Sequence, residues 1–100
     1  MFTDKKEKNV FTTKDMVMIV NFMGMIKEKG LTVFLEVVDG MGFVDGLGFS
    51  LNVEFRVDEE YVIDLCKDWI IFHSDLVKNY SISKSGNEVL FTIYISERSL

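Results

Sequence analysis

The chain contains no alanine, no proline and no glutamine, and only one cysteine, one histidine and one tryptophan among its 100 residues. A lone Cys66 cannot close an intramolecular disulfide and excludes a cysteine-rich zinc site, which suits a reducing compartment. Long apolar runs are also missing. The longest, Met16 to Val20, falls far short of the ~20 residues that cross a bilayer. Near the start, Lys5, Lys6 and Lys8 lead into Asn9 and a polar stretch instead of the apolar centre of a signal peptide. The expectation is a cytoplasmic protein with no membrane partner. No structural rule forbids alanine, proline and glutamine together, while phenylalanine, isoleucine, lysine and valine are plentiful. We read this as the coding bias of an AT-rich genome, and expect a viral or mobile-element product.

Positive charge is scarce where it would matter most. The net charge is −5, but it is unevenly spread. Residues 1–35 sum to +2 (six Lys, four acids), residues 36–64 to −7 (eight acids, Arg56), and residues 65–100 to zero (four bases, four acids). An acidic middle third repels nucleic-acid phosphate and favours basic partners. Direct nucleic-acid binding needs a basic face, and only the short N-terminal arm offers one.

What is present reads as one α+β domain. Residues 1–12 form a polar arm, and residues 13–100 the domain. Thr12 or Thr13 can cap a helix over about 14–29, with Asp15 in its first turn and Lys27, Lys29 and Gly30 closing it. "LTVFLEVV" reads as a strand over 31–38. "FSLNVEFRV" alternates without a fault, with Phe49, Leu51, Val53, Phe55 and Val57 on one face and Ser50, Asn52, Glu54 and Arg56 on a wet one. A second helix is expected over about 59–78, capped by Asp58 and opened by Glu59 and Glu60. A hairpin follows, with a short strand near 80–84, a turn at Ser85-Gly86-Asn87 and a strand near 88–96. The order α-β-β-α-β-β predicts an antiparallel sheet of about four strands with both helices on its apolar face.

The one repetitive phrase is "DGMGFVDGLGFS", Asp39 to Ser50. A phosphate loop needs a helix after its glycines, and here a strand follows. The spacing misses the dinucleotide fingerprint and both calcium-loop patterns. Asp-Gly between apolar residues is a hairpin-turn signal. Two such turns would leave a short extra strand at 42–44; otherwise the segment is one long tip exposing Phe43 and Leu47 beside Asp39 and Asp45.

No catalytic, metal or cofactor residues are assigned. Cys66 and His73 lie seven residues apart on the expected second helix, about 10 Å by the helical rise, too far for a thiol–imidazole hydrogen bond. Asp64, Asp68 and Asp75, interleaved with Lys67 and Lys78, read as a solvated helix face. The first helix carries Met16, Ile19, Phe22, Met23 and Ile26 as its core stripe, while Met18 and Met25 fall about 100° away with Phe22 bordering both groups. Tyr61, Ile63, Ile70 and Ile71 likewise widen the apolar face of the second helix beyond Val62, Cys66 and Trp69. Such helices favour a dimer or a stable complex.

A double-stranded-RNA-binding domain opens its second helix with a basic signature, and D-E-E stands here instead. The acidity and element order are similar to those of acidic dimeric type III secretion chaperones, without their final helix or a matching motif; such a likeness carries no function. The function expected is a non-enzymatic interaction module, an inhibitor of anti-defence or immunity type. It would occupy a basic surface on a protein partner. Asp39, Asp45, Glu54, Asp58 and Glu59 would steer, and Met18, Phe22 and Met25, or Phe43 and Leu47, would anchor. The alternative is a homodimeric domain that binds a small molecule or assists assembly, marked by an apolar pocket with convergent polar groups.

Overall fold

The computed structural model describes residues 12–39 and 47–96. Helix α1 spans Thr13–Glu28, followed by strands β1 (Thr32–Asp39) and β2 (Leu47–Arg56), helix α2 (Tyr61–Phe72), and strands β3 (Val77–Ser85) and β4 (Glu88–Ser96). The expected order α-β-β-α-β-β and the four-stranded antiparallel sheet are both present. The extra strand considered at 42–44 lies outside the described residues.

Local chemistry accounts for the ends of α1. Thr12 Oγ1 accepts the Asp15 N–H at 3.1 Å and Asp15 accepts the Thr12 N–H at 3.0 Å, a reciprocal capping box. At the other end Gly30 takes φ +80°. There the Gly30 N–H reaches Lys27 C=O at 2.9 Å and the Leu31 N–H reaches Ile26 C=O at 3.4 Å. This is a Schellman stop, which needs a left-handed residue.

The strands lie in the order β1-β2-β4-β3, every neighbouring pair antiparallel. β2 and β3 therefore run parallel to each other on either side of β4, joined by α2, as a split β-α-β unit. Moving β4 from the end of the chain to its front would give the β-α-β-β-α-β ferredoxin-like arrangement, so the architecture is a permuted form of that topology.

Both helices cover one face. α1 packs over β1 and α2 over β4, and Phe22 stacks on Trp69 between them at 5.0 Å. The core joins Ile19, Phe22 and Ile26 to Val62 and Cys66 above Leu51, Val53, Phe91 and Ile93. The period-two pattern of β2 and the α1 stripe put these residues inside, as expected.

Two expectations need correcting. α2 is shorter than 59–78: it ends at Phe72, and Val77–Ser85 is a nine-residue strand. Asp64, Asp68, Asp75 and Lys78, spaced four, seven and three residues apart, imitate a helix face, but pairing with an equally long β4 wins over residues 77–80. The cap also differs. Glu60 is the N-cap and makes no side-chain cap bond, while Asp58 turns to Arg56 at 3.7 Å.

The second correction concerns the face without helices, which is not uniformly wet. Ser50, Asn52 and Thr92 are 4%, 5% and 7% exposed. Asn52 Nδ2 donates to Ser50 C=O and to Ser50 Oγ, both at 3.1 Å, and Thr92 Oγ1 donates to Asn52 Oδ1 at 2.9 Å. Larger half-buried neighbours flank them in register: Phe34 opposite Asn52, and Tyr94 opposite Ser50. Each buried polar atom is satisfied, so burial here is tolerable and fixes register.

Candidate functional site

Sheet register, not chain proximity, decides which acids share a surface. Thr32 pairs with Glu54 at one end of the β1–β2 ladder and Asp39 pairs with Leu47 at the other. At about 3.4 Å per residue, the seven steps from Leu47 to Glu54 separate those ends by about 24 Å. The acidic block read as continuous from Asp39 to Asp64 is therefore split between opposite ends of the sheet. Phe43 and Asp45 lie outside the described residues, and Asp39 and Leu47 are placed by their backbone at the end remote from Asp58.

The Glu54 end adds Glu88, distant in sequence, to acids that are already near one another along the chain. The Val57 N–H donates to Asn87 C=O at 2.9 Å, tying the β2–α2 turn to the β3–β4 turn. Arg56 pairs in register with Glu88. Glu54, Asp58, Glu60 and Glu88 are all exposed around this end. Glu59 is half-buried and accepts the Arg56 N–H at 2.8 Å, so its carboxylate helps hold the turn. The Arg56–Asp58 pair is open to solvent and contributes little. Beside these acids stand Tyr61, 49% exposed, and Val57, 36% exposed. Tyrosine is among the side chains enriched at the energetic anchors of protein interfaces. Glu88 was not among the residues singled out from sequence, and Val57, expected on the packed face of its strand, lies just past the end of β2 and is exposed. Only the ladder brings Glu88 here, while Tyr61 had already signalled itself as an apolar residue off the core line of its helix.

The other expected anchors fare differently. Phe22 is 4% exposed and stacked on Trp69, so it belongs to the core and offers a partner little surface. On the α1 wheel Met18 and Met25 fall on the same flank as Phe22, the flank turned toward α2. Met18 is accordingly half-buried, and Met25 stands at 36%. The most exposed apolar side chains of α1 are instead Val17 and Val20.

Cys66 is fully buried beneath α2, and desolvation pushes its thiol from 9.0 up to about 12. Such a thiol stays protonated and is no nucleophile near neutrality. His73 packs its ring on Trp69, centroids 4.6 Å apart. Among the described residues no group of three His, Cys, Asp or Glu side chains could hold a metal ion, and no helix is long and apolar enough to cross a membrane. Two open grooves run along the helix-free side of the β3–β4 hairpin. One, of about 420 Å³, is bordered by Glu54, Ser83, Glu88 and Leu90; the other, of about 350 Å³, by Lys78, Asn79, Ser81 and Tyr94. Both are shallow and mixed in polarity, unlike the concave apolar sites of small ligands.

Comparison with protein-family models, with curated proteins and with solved structures found no match.

Proposed function

We propose that the protein is a small acidic interaction module without catalytic activity of its own, which binds a basic surface on a protein partner and blocks it. The observation that supports this reading is that exposed Glu54, Asp58, Glu60 and Glu88 and the exposed Tyr61 and Val57 all lie at one end of the sheet, on its two faces and the turn between them. Clustered like charges speed encounter with an oppositely charged surface, and a partly exposed aromatic supplies the desolvated contact that holds it. An inhibitor of anti-defence or immunity type is the role that fits such chemistry in a small acidic chain.

The test separates steering from anchoring. Partners captured from the native host are compared for the wild type, for a charge reversal at Glu54, Asp58 and Glu60, and for Tyr61→Ala. Glu59 is left intact because it holds the turn. The reversal is expected to slow association and remove its salt dependence, and Tyr61→Ala to speed dissociation. If both variants retain the same partner with unchanged kinetics, this end of the sheet is not the binding surface.

A further inference from the structure

Among the described residues β3 is the edge strand of the sheet, and eight of its nine residues are exposed. α2 lies over β4, leaving the core-side face of β3 uncovered, with Tyr80 40% and Ile82 38% exposed. The strand's register slips between Val77 and Asn79, so the regular edge is the stretch Asn79 to Ser85, N-Y-S-I-S-K-S. Ser85 and Glu88 close a two-residue turn opened by Gly86 at φ +62°. Such a closing pair is hydrogen-bonded, and the alternation of an antiparallel ladder then turns Ser81, Ser83 and Ser85 toward β4. Tyr80, Ile82 and Lys84 present their N–H and C=O groups to the open edge. The Tyr80 N–H is indeed taken by its neighbour, Asn79 Oδ1, at 2.8 Å.

We propose that two copies of the protein pair through their β3 edges, antiparallel, about a two-fold axis at Ile82, joining two four-stranded sheets into one of eight. A two-fold interface must be self-complementary, and this stretch is. Centred on Ile82, Ser81 meets Ser83, Asn79 meets Ser85, and Tyr80 meets Lys84 of the second copy, whose aliphatic stem and ammonium suit an aromatic neighbour. All three outward-facing residues find outward-facing partners, so the ladder continues without a break, the Asn79–Tyr80 bond being exchanged for one between strands.

Charge disfavours the neighbouring register centred on Ser81. Centring on Ser81 would set Lys84 against Lys78 of the second copy, and like charges directly opposite are unfavourable. Centring on Ile82 places the two Lys84 side chains about four residues apart along the strands, roughly 13 Å, beyond the ~8–10 Å reach of charge in physiological salt. The opposite edge is unsuited: β1 carries Glu36 and Asp39 and no base, so two β1 edges repel. The inference does not rest on the acidic end of the sheet, and the two tests read different variants.

Sedimentation across a concentration series is expected to show a monomer–dimer equilibrium. Ile82→Lys sets two charges at the axis and weakens it roughly tenfold or more. Ile82→Pro removes an outward N–H that β4 does not use, so it abolishes dimerisation while circular dichroism stays native. Ile82→Cys is expected to give a disulfide-linked dimer on mild oxidation, since directly opposed Cα atoms lie about 5.5 Å apart, within disulfide reach. A wild type that stays monomeric throughout overturns the proposal, as does a dimer that survives both Ile82→Lys and Ile82→Pro in folded protein. Oligomers growing past two overturn the two-fold arrangement in favour of β1 edges stacking on β3 edges.

Discussion

β4 and β3 are neighbours of equal length, joined by a two-residue turn, yet they occupy opposite environments. β4 buries Val89, Phe91, Ile93 and Ile95 under the helices and Thr92 on the other face, while β3 keeps only Val77 half-buried. Both strands alternate, and both carry aromatic and β-branched residues. The difference is position: among the described residues β4 has a strand on each side and α2 above, whereas β3 has one strand neighbour and exposed side chains. Alternation announces which face of a strand is apolar, and the sheet order decides whether anything covers it.

The largest expected effect breaks that contrast at one pair in register. Phe91 is fully buried and stacks on Tyr80 at 5.3 Å, opposite Ile82. Phe91→Ala is expected to cost about 3–5 kcal/mol in urea unfolding. Ile82→Ala, with its side chain 38% exposed, is expected to cost under about 1 kcal/mol in the monomer. Equal costs would mean that the edge is covered in solution.

A middle-sized effect tests the polar row of the central strands. Asn52→Ala leaves Thr92 Oγ1 and Ser50 Oγ without the partner they share, and is expected to cost about 1–3 kcal/mol. Ser83→Ala, on the same face of the edge strand but exposed, is expected to stay within about 0.5 kcal/mol. A loss as small for Asn52 would show that water reaches the row.

The smallest effect near neutrality grows with alkali. Burial raises the Cys66 thiol from 9.0 to about 12, so the folded state holds a proton that the unfolded chain releases above about pH 9. The stabilisation is complete below the unfolded value and is lost as pH rises from there through about 12. One unit above the ordinary value the loss is about 1.4 kcal/mol. Cys66→Ala removes this part of the alkaline slope, whatever it does to stability at pH 7. An unchanged slope would mean the thiol is solvated in the folded state.

Much of this was legible in residues. Thr12, Asp15 and Gly30 marked α1 because capping chemistry acts within one turn of the chain. The faultless alternation of Leu51, Val53 and Phe55 marked β2 and its buried face. The end of α2 was not legible, because residues 73–80 satisfy helical spacing of charges as well as strand propensity, and only pairing with β4 separates the two. The candidate site was less legible still. Consecutive acids from Asp39 to Asp64 suggested one surface, but an antiparallel hairpin carries the chain away and back, so acids close in sequence face opposite ends. Glu88 joined the Glu54 end for the same reason, by register across the sheet.

The sequence by itself determined the elements, their order and their inward faces, since capping, periodicity and turn chemistry are local and each needs only a few neighbouring residues. It also set the acidic charge and the single cysteine, which excludes an intramolecular disulfide. Tertiary structure alone decided that Asn52 and Thr92 would be buried together, that Phe22 would stack on Trp69 in the core, and that Glu88 would join the acids at the Glu54 end. It likewise left the self-complementary stretch of β3 at a free edge. These are consequences of strand order and register, set by long-range pairing of segments far apart in the chain, and no window of sequence contains both partners.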